Sequence, residues 1–149
     1  MNRRDFIRAG ATAGAVFSTG VAMAAAEKPQ KGKSQVDREA RDQLISLASH
    51  CIEQAKRCQS HCIDLLSVGD DEMAECLRSV SEMLPACDML LTHVSLNSDF
   101  FNDTGKLCAK VCSACEKVCR EHAKSHGICK KCADSCKDLV AGLNSAGIA

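Results

Sequence analysis

The stretch CAKVCSACEKVC, Cys108 to Cys119, places four cysteines at offsets 0, 4, 7 and 11. Those steps bring every thiol back to one face of an α-helix, which turns once in about 3.6 residues. The pattern recurs: Cys51, Cys58 and Cys62 share a face of a segment upstream, and Cys129, Cys132 and Cys136 share one downstream. Apolar residues and cysteines return at three- and four-residue steps, with no β-branched alternation, so helix is predicted almost throughout residues 37–149.

Four helices are expected. The first runs from Asp37 to Leu66, its inward stripe made by Leu44, Leu47, Ala48, Cys51, Ala55, Cys58, Cys62 and Leu65. It stops at SVGDD, where Gly69 suits a helix C-terminus and Asp70 and Asp71 suit the cap and first turn of the next helix. The second extends to Ser95 and turns Met73, Cys76, Val80, Met83, Cys87, Leu90, Leu91 and Val94 inward. Pro85 within it removes one backbone hydrogen bond and is expected to bend the axis. After the turn NSDFFNDTG a third helix is expected from Thr104 to Lys124, and beyond the link KSHG a fourth from Gly127 to Asn144. Short loops between amphipathic helices imply an all-α fold, an antiparallel four-helix bundle of up-down-up-down order with a cysteine-lined core.

Residues 1–26 read as an export leader. Arg3 and Arg4, followed by Asp5, Phe6 and Ile7, resemble the twin-arginine signal, and Ala24 to Ala26 supply a small-residue cleavage site. The apolar run between them is too short and too rich in Gly and Ala to span a membrane stably. Polar residues 27–36 then form a flexible segment before the bundle, and the chain is expected in the periplasm. The leader holds three arginines and one aspartate, which leaves 16 basic and 18 acidic side chains of the whole chain's 19 and 19. That balance argues against nucleic acid or an anionic membrane as partner.

All 12 cysteines fall on the predicted core stripes, where Leu and Ile would otherwise stand. A single buried cysteine is an ordinary small hydrophobe, but a complete set on core stripes asks for another account. Disulfides suit an exported chain with an even count. Within one helix geometry opposes them, because Cβ atoms four residues apart lie about 5 to 6 Å from each other, and a disulfide needs about 3.5 to 4.5 Å. Pairs between helices stay open, so a disulfide-braced structural or interaction domain remains a rival reading.

Among metal centres, C-x3-C-x2-C-x3-C differs from the ferredoxin spacing, and no CxxCH offers covalent haem. Structural zinc usually draws its ligands from two loop-borne pairs, although zinc or cadmium thiolate clusters also stay open. A soft monovalent ion fits better. With a metal–sulfur bond of about 2.3 Å, a two-coordinate S–Cu–S unit spans roughly 4.6 Å, within reach of cysteines three or four residues apart. Thiolate and thioether ligands select Cu(I). One Cu(I) per thiolate also leaves a neutral core, whereas bare thiolates would be prohibitively costly to bury and divalent ions would bury excess positive charge. Nothing points to an enzyme. His50, His61, His93, His122 and His126 have no serine or carboxylate constellation around them, and a thiol oxidoreductase needs an exposed, low-pKa CxxC.

These residues resemble the bacterial copper storage proteins. The resemblance rests on HCIEQAKRCQSHC in the first helix, Cys76 and Cys87 in the second, CAKVCSACEKVC in the third and CKKCADSC in the fourth. It implies a bundle whose core cysteines hold many Cu(I) ions, here Cys51, Cys58, Cys62, Cys76, Cys87, Cys108, Cys112, Cys115, Cys119, Cys129, Cys132 and Cys136. It also implies assembly as a homotetramer. Some members carry a twin-arginine signal, a route that lets the bundle fold before crossing the membrane. Val80 and Met83 leave the middle of the second helix without a thiol.

Up-down-up-down order gathers Cys62, Met73, Cys76, Cys119, His122, His126 and Cys129 at one end, the expected mouth. Leu44, Leu47, Leu90, Leu91, Val94, Phe101, Val140 and Leu143 collect at the other as an apolar plug. His122 follows Cys119 by three residues and Met73 precedes Cys76 by three, so both are candidates to pass a soft ion inward, with His126 and Met83 as further accessory candidates. Helix capping by the two histidines and core filling by Met73 are the plain alternatives.

Overall fold

The computed structural model describes residues 36–149; the leader read into residues 1–26, and the segment that follows it up to residue 35, lie outside them. The described chain forms helices α1 (Arg38–Ser67), α2 (Ala74–Ser95), α3 (Phe101–His122) and α4 (Gly127–Ser145), with one 3-10 turn at Asp71–Met73 ahead of α2 and no strand. Each long helix packs against two others in a ring, α1 on α2, α2 on α3, α3 on α4 and α4 on α1, while the backbones of the diagonal pairs stay apart. The expected four-helix bundle is the observed fold.

Helix ends follow from local chemistry. Asp37 caps α1, its Oδ1 accepting from the Ala40 amide at 2.9 Å. At the far end the Asp70 amide donates to Leu65 O and the Gly69 amide to Leu66 O, both at 3.1 Å, with Gly69 at φ 92°. This paired closure needs a left-handed residue, and glycine adopts that conformation without a Cβ clash. Asn97 does the same after α2 at φ 50°, with the Ser98 amide bonded to His93 O at 3.0 Å.

Three expected boundaries differ from the structure by more than one residue. Asp70 makes no side-chain cap; instead its carbonyl accepts from the Met73 amide at 3.3 Å, closing a 3-10 turn that carries the chain into α2. The third helix begins at Phe101, three residues before the expected Thr104, and ends at His122 instead of Lys124. Burial of the Phe101 ring draws that residue into the core, and the Thr104 hydroxyl donates back to Phe101 O at 3.0 Å, so the first turn closes earlier than its polar sequence suggests. Helix α2 continues through Pro85, whose ring is exposed.

The core has two zones along the bundle. Leu44, Leu90, Val94, Phe101, Leu139, Leu143 and Ile148 are buried toward one end, flanked by half-buried Leu47, Leu91 and Val140. Backbone approach is close here: a Cβ on Gly142 would meet the Leu47 side chain at 2.5 Å, and one on Gly105 would overlap Ile148. The remaining length is filled mainly by cysteine, alanine and methionine, with Val80, Ile52 and Leu84 among them. Burying a Leu side chain contributes about 1.5–3 kcal/mol and a smaller side chain less, so the apolar zone carries most of the fold's hydrophobic stabilisation. Leu90→Ala should therefore cost about 2–5 kcal/mol in urea unfolding followed by circular dichroism, whereas Cys115→Ala should cost far less.

Candidate metal centre

Helical periodicity sends all 12 cysteines inward, and each is fully buried and unpaired. Near the ends of α1 and α3, Cys58 Sγ lies 3.9 Å from Cys76 and 3.8 Å from Cys129, and Cys76 lies 3.7 Å from Cys119. Deeper, Cys51 is 3.9 Å from Cys136, and Cys87 is 3.5 Å from both Cys108 and Cys112. Along α3 itself, Cys108 and Cys112 are 3.8 Å apart and Cys115 and Cys119 are 3.9 Å apart. None of these approaches is near the ~2.05 Å of a disulfide bond.

The thiols fall into groups whose sulfurs all lie within 4.8 Å of one another: Cys58, Cys62, Cys76 and Cys129; Cys51, Cys87 and Cys112; Cys58, Cys119 and Cys132; Cys115, Cys132 and Cys136. Cys58 belongs to two groups and so does Cys132, and the Cys51–Cys136 contact joins the rest. The result is one continuous chain of sulfurs. Its spacing suits thiolates that bridge neighbouring ions, since two sulfurs on one ion lie at most about 4.6 Å apart with bonds of about 2.3 Å.

Hydrogen bonding among the thiols splits their acidities. Cys51 is lowered chiefly by Cys112, Cys76 by Cys119 and Cys132 by Cys115, while Cys108 is lowered to about 5, chiefly by its bond to Cys112. Cys58, Cys87 and Cys136 are pushed up, chiefly by Cys119, Cys108 and Cys112 respectively, and burial adds to the rise. A thiol that keeps its proton resists becoming the charged ligand until an ion arrives to neutralise it.

The residues expected at the mouth do gather. Cys62, Cys76 and Cys129 share one group, Met73 is fully buried, and half-buried His122 and His126 have ring centroids 6.4 Å apart. His61 is the addition that the sequence reading missed. Its Nε2 lies 3.0 Å from Nδ1 of His126, tying the last turns of α1 to the start of α4. The signal was its place between Cys58 and Cys62 at the mouth end of α1. Outside, Arg120 Nη1 meets Asp134 at 2.6 Å and Lys130 Nζ meets the same carboxylate at 2.9 Å, linking α3 to α4. Lys130 and Arg120 hold the Asp134 carboxyl below its usual range. Away from the mouth, the Met83 sulfur is fully buried 3.1 Å from Cys87 Sγ, His50 is exposed, and buried Nδ1 of His93 finds no hydrogen-bond partner among the described residues.

Residues 37–144 match the family described as copper storage protein. The chain belongs to the copper storage protein family. A Bacillus subtilis (strain 168) relative, the uncharacterized cysteine-rich protein YhjQ, is 30% identical over 102 residues, covering 65% of this chain and 93% of the relative. Among solved structures, the Cu(I)-bound copper storage protein BsCsp3 superposes with a TM-score of 0.67 at 23% identity, over 74% of this chain and 99% of that one. A cytosolic copper storage protein from Streptomyces lividans, solved with five coppers, gives 0.67 at 25% identity, over 74% of this chain and 94% of that one.

The raised thiols set the sign of a pH effect. They are protonated at neutral pH, so each ion bound there displaces a proton, and acid competes with the metal. With Cu(I) as probe, a fixed concentration of chelator should remove more metal at about pH 5.5 than at about pH 8, and loading of the apo protein in weak buffer should release protons.

Proposed function

We propose that this chain is a copper store that holds many Cu(I) ions through Cys51, Cys58, Cys62, Cys76, Cys87, Cys108, Cys112, Cys115, Cys119, Cys129, Cys132 and Cys136, and that it stores the metal without catalysing a reaction. The observation that carries this reading is the continuous chain of 12 buried, unpaired sulfurs. Family membership and the copper-bearing structure from Streptomyces lividans support it. The chemistry agrees: soft thiolates select Cu(I), and one unit charge per thiolate is the ratio at which a buried cluster becomes neutral.

The proposal extends to the organisation of the chain, with residues 1–26 as a twin-arginine leader, residues 27–36 as a flexible segment and residues 37–149 as the copper-binding bundle. Delivery to the periplasm rests on the leader's sequence alone, and assembly as a homotetramer on the family resemblance alone. Copper ions are the partners.

Capacity is the direct test. Anaerobic titration followed by native mass spectrometry should saturate at on the order of 12 Cu(I) per chain, and saturation at about four or fewer would overturn the cluster reading. Unfolded metal-free protein should titrate close to 12 free thiols, where a disulfide-braced domain would give almost none. Cys112→Ala or Cys115→Ala should remove roughly one ion without unfolding the apo bundle, because little volume is lost.

Copper enters at the end that holds Met73 and the histidines. Imidazole and thioether donors stand there beside Cys62, Cys76 and Cys129, whereas the core at the opposite end is mainly hydrocarbon and holds no thiol, with His93 against Phe100 at its margin. Cys62 is fully covered, so an ion must first engage a donor that can move, and half-buried His122 fits that role. Replacing Met73 with Leu and His122 with Phe together should slow both Cu(I) uptake and its removal by a chelator while leaving the final capacity nearly unchanged; unaltered rates would place the route elsewhere.

A further inference from the structure

Helix α2 has only two cysteines, fewer than any of its neighbours. The core stripe it continues from the 3-10 turn nonetheless holds four sulfurs, because Met73, Cys76, Met83 and Cys87 follow the same three- and four-residue rhythm, broken only by Val80. Met83 stands four residues before Cys87, as Cys108 stands before Cys112 and Cys115 before Cys119. It is fully buried, and the Cys87 thiol donates to its Sδ at 3.1 Å, closer than the 3.5 Å that separates Cys87 from Cys108 and from Cys112. Filling the gap would not require sulfur. Leucine occupies nearly the same volume, and Val80 one turn earlier shows that hydrocarbon is accepted on this stripe.

We propose that Met83 is a metal ligand, its thioether joining Cys87, Cys108 and Cys112 to hold Cu(I) at the deep end of the sulfur chain. This rests on the copper-storage reading and adds a donor of a different charge type. Along the chain a thiolate can bridge two ions, which keeps the ratio of ions to thiolates near one. At the deep end the sulfurs give way to the apolar zone that begins with Leu90, one turn beyond Cys87, and no ion lies further on to share a bridge. A fourth thiolate there, in place of the thioether and with no further ion to neutralise it, would leave net negative charge against hydrocarbon. A thioether raises the coordination of the last ion without adding charge, and as a soft donor it favours Cu(I) over harder divalent ions.

The test uses the full chain carrying 13C-methyl methionine, with Met83→Leu and Met89→Leu assigning the resonances. Met89, 37% exposed and away from the thiols, serves as the internal reference. On anaerobic saturation with Cu(I) the Met83 methyl should shift while the Met89 methyl stays, and Zn(II) loading should leave Met83 nearly unmoved. Met83→Leu keeps the volume and all 12 thiols. It should lose its most slowly exchanging ion to a chelator roughly tenfold more readily than the parent. A Met83 methyl that does not move at saturation, or that moves equally with Zn(II), would overturn the assignment and leave storage intact. Failure of the parent to take up Cu(I) would overturn both. If Met83→Leu does not fold, the shift in the parent chain decides alone.

Discussion

A thiolate cannot be buried alone, and the rest of this molecule is arranged around that constraint. Moving an uncompensated charge into a helical core costs far more than any packing there returns. The apo core meets the constraint by keeping thiols such as Cys58, Cys87 and Cys136 protonated in mutual hydrogen bonds. A loaded core meets it by exchanging each proton for one monovalent ion. A thiol that keeps its proton and a thiolate paired with one monovalent ion are both neutral, so loading at the raised positions adds no buried charge. A divalent cargo at the same ratio would not permit that.

The two-zone core divides the remaining tasks. Cysteine is a small hydrophobe, and a bundle lined with it from end to end would bury little hydrocarbon for its length. Leu44, Leu90, Val94, Leu139 and Leu143 supply what the sulfur zone lacks, and Ile148, beyond the end of α4, packs over Gly105. Metal capacity and fold stability thus draw on different residues of the same four helices.

Much of this was legible in the sequence because one rule, the return of side chains every three or four residues, governs both the fold and the site. The stripe that marks α3 as a helix is the same stripe that marks Cys108, Cys112, Cys115 and Cys119 as neighbours. What periodicity could not supply were contacts between elements and the details of chain reversal. Phe101 begins α3 because its ring finds the core, a tertiary effect that overrode a polar, turn-like segment. Asp70 looked like a side-chain cap, but its backbone carbonyl closes a 3-10 turn instead. His61 gains its importance only from His126, which lies 65 positions along the chain. Periodicity turned Met83 inward, but its contact with the Cys87 thiol came only from the structure.

The sulfurs form a column with unlike ends, the His61, His122 and His126 cluster at one and the leucine-rich core at the other. For a store loaded through the histidine end, that asymmetry imposes an order of traffic. Ions that arrive early are pushed along shared thiolates toward Cys87 and Cys108, and later arrivals settle around Cys58, Cys62, Cys76 and Cys129. Withdrawal must then run in reverse, the newest ion leaving first. Such a molecule behaves as a stack and not as a well-mixed reservoir: the ease of taking the next ion depends on how full it is, and a core of old metal turns over only when supply has failed for a long time.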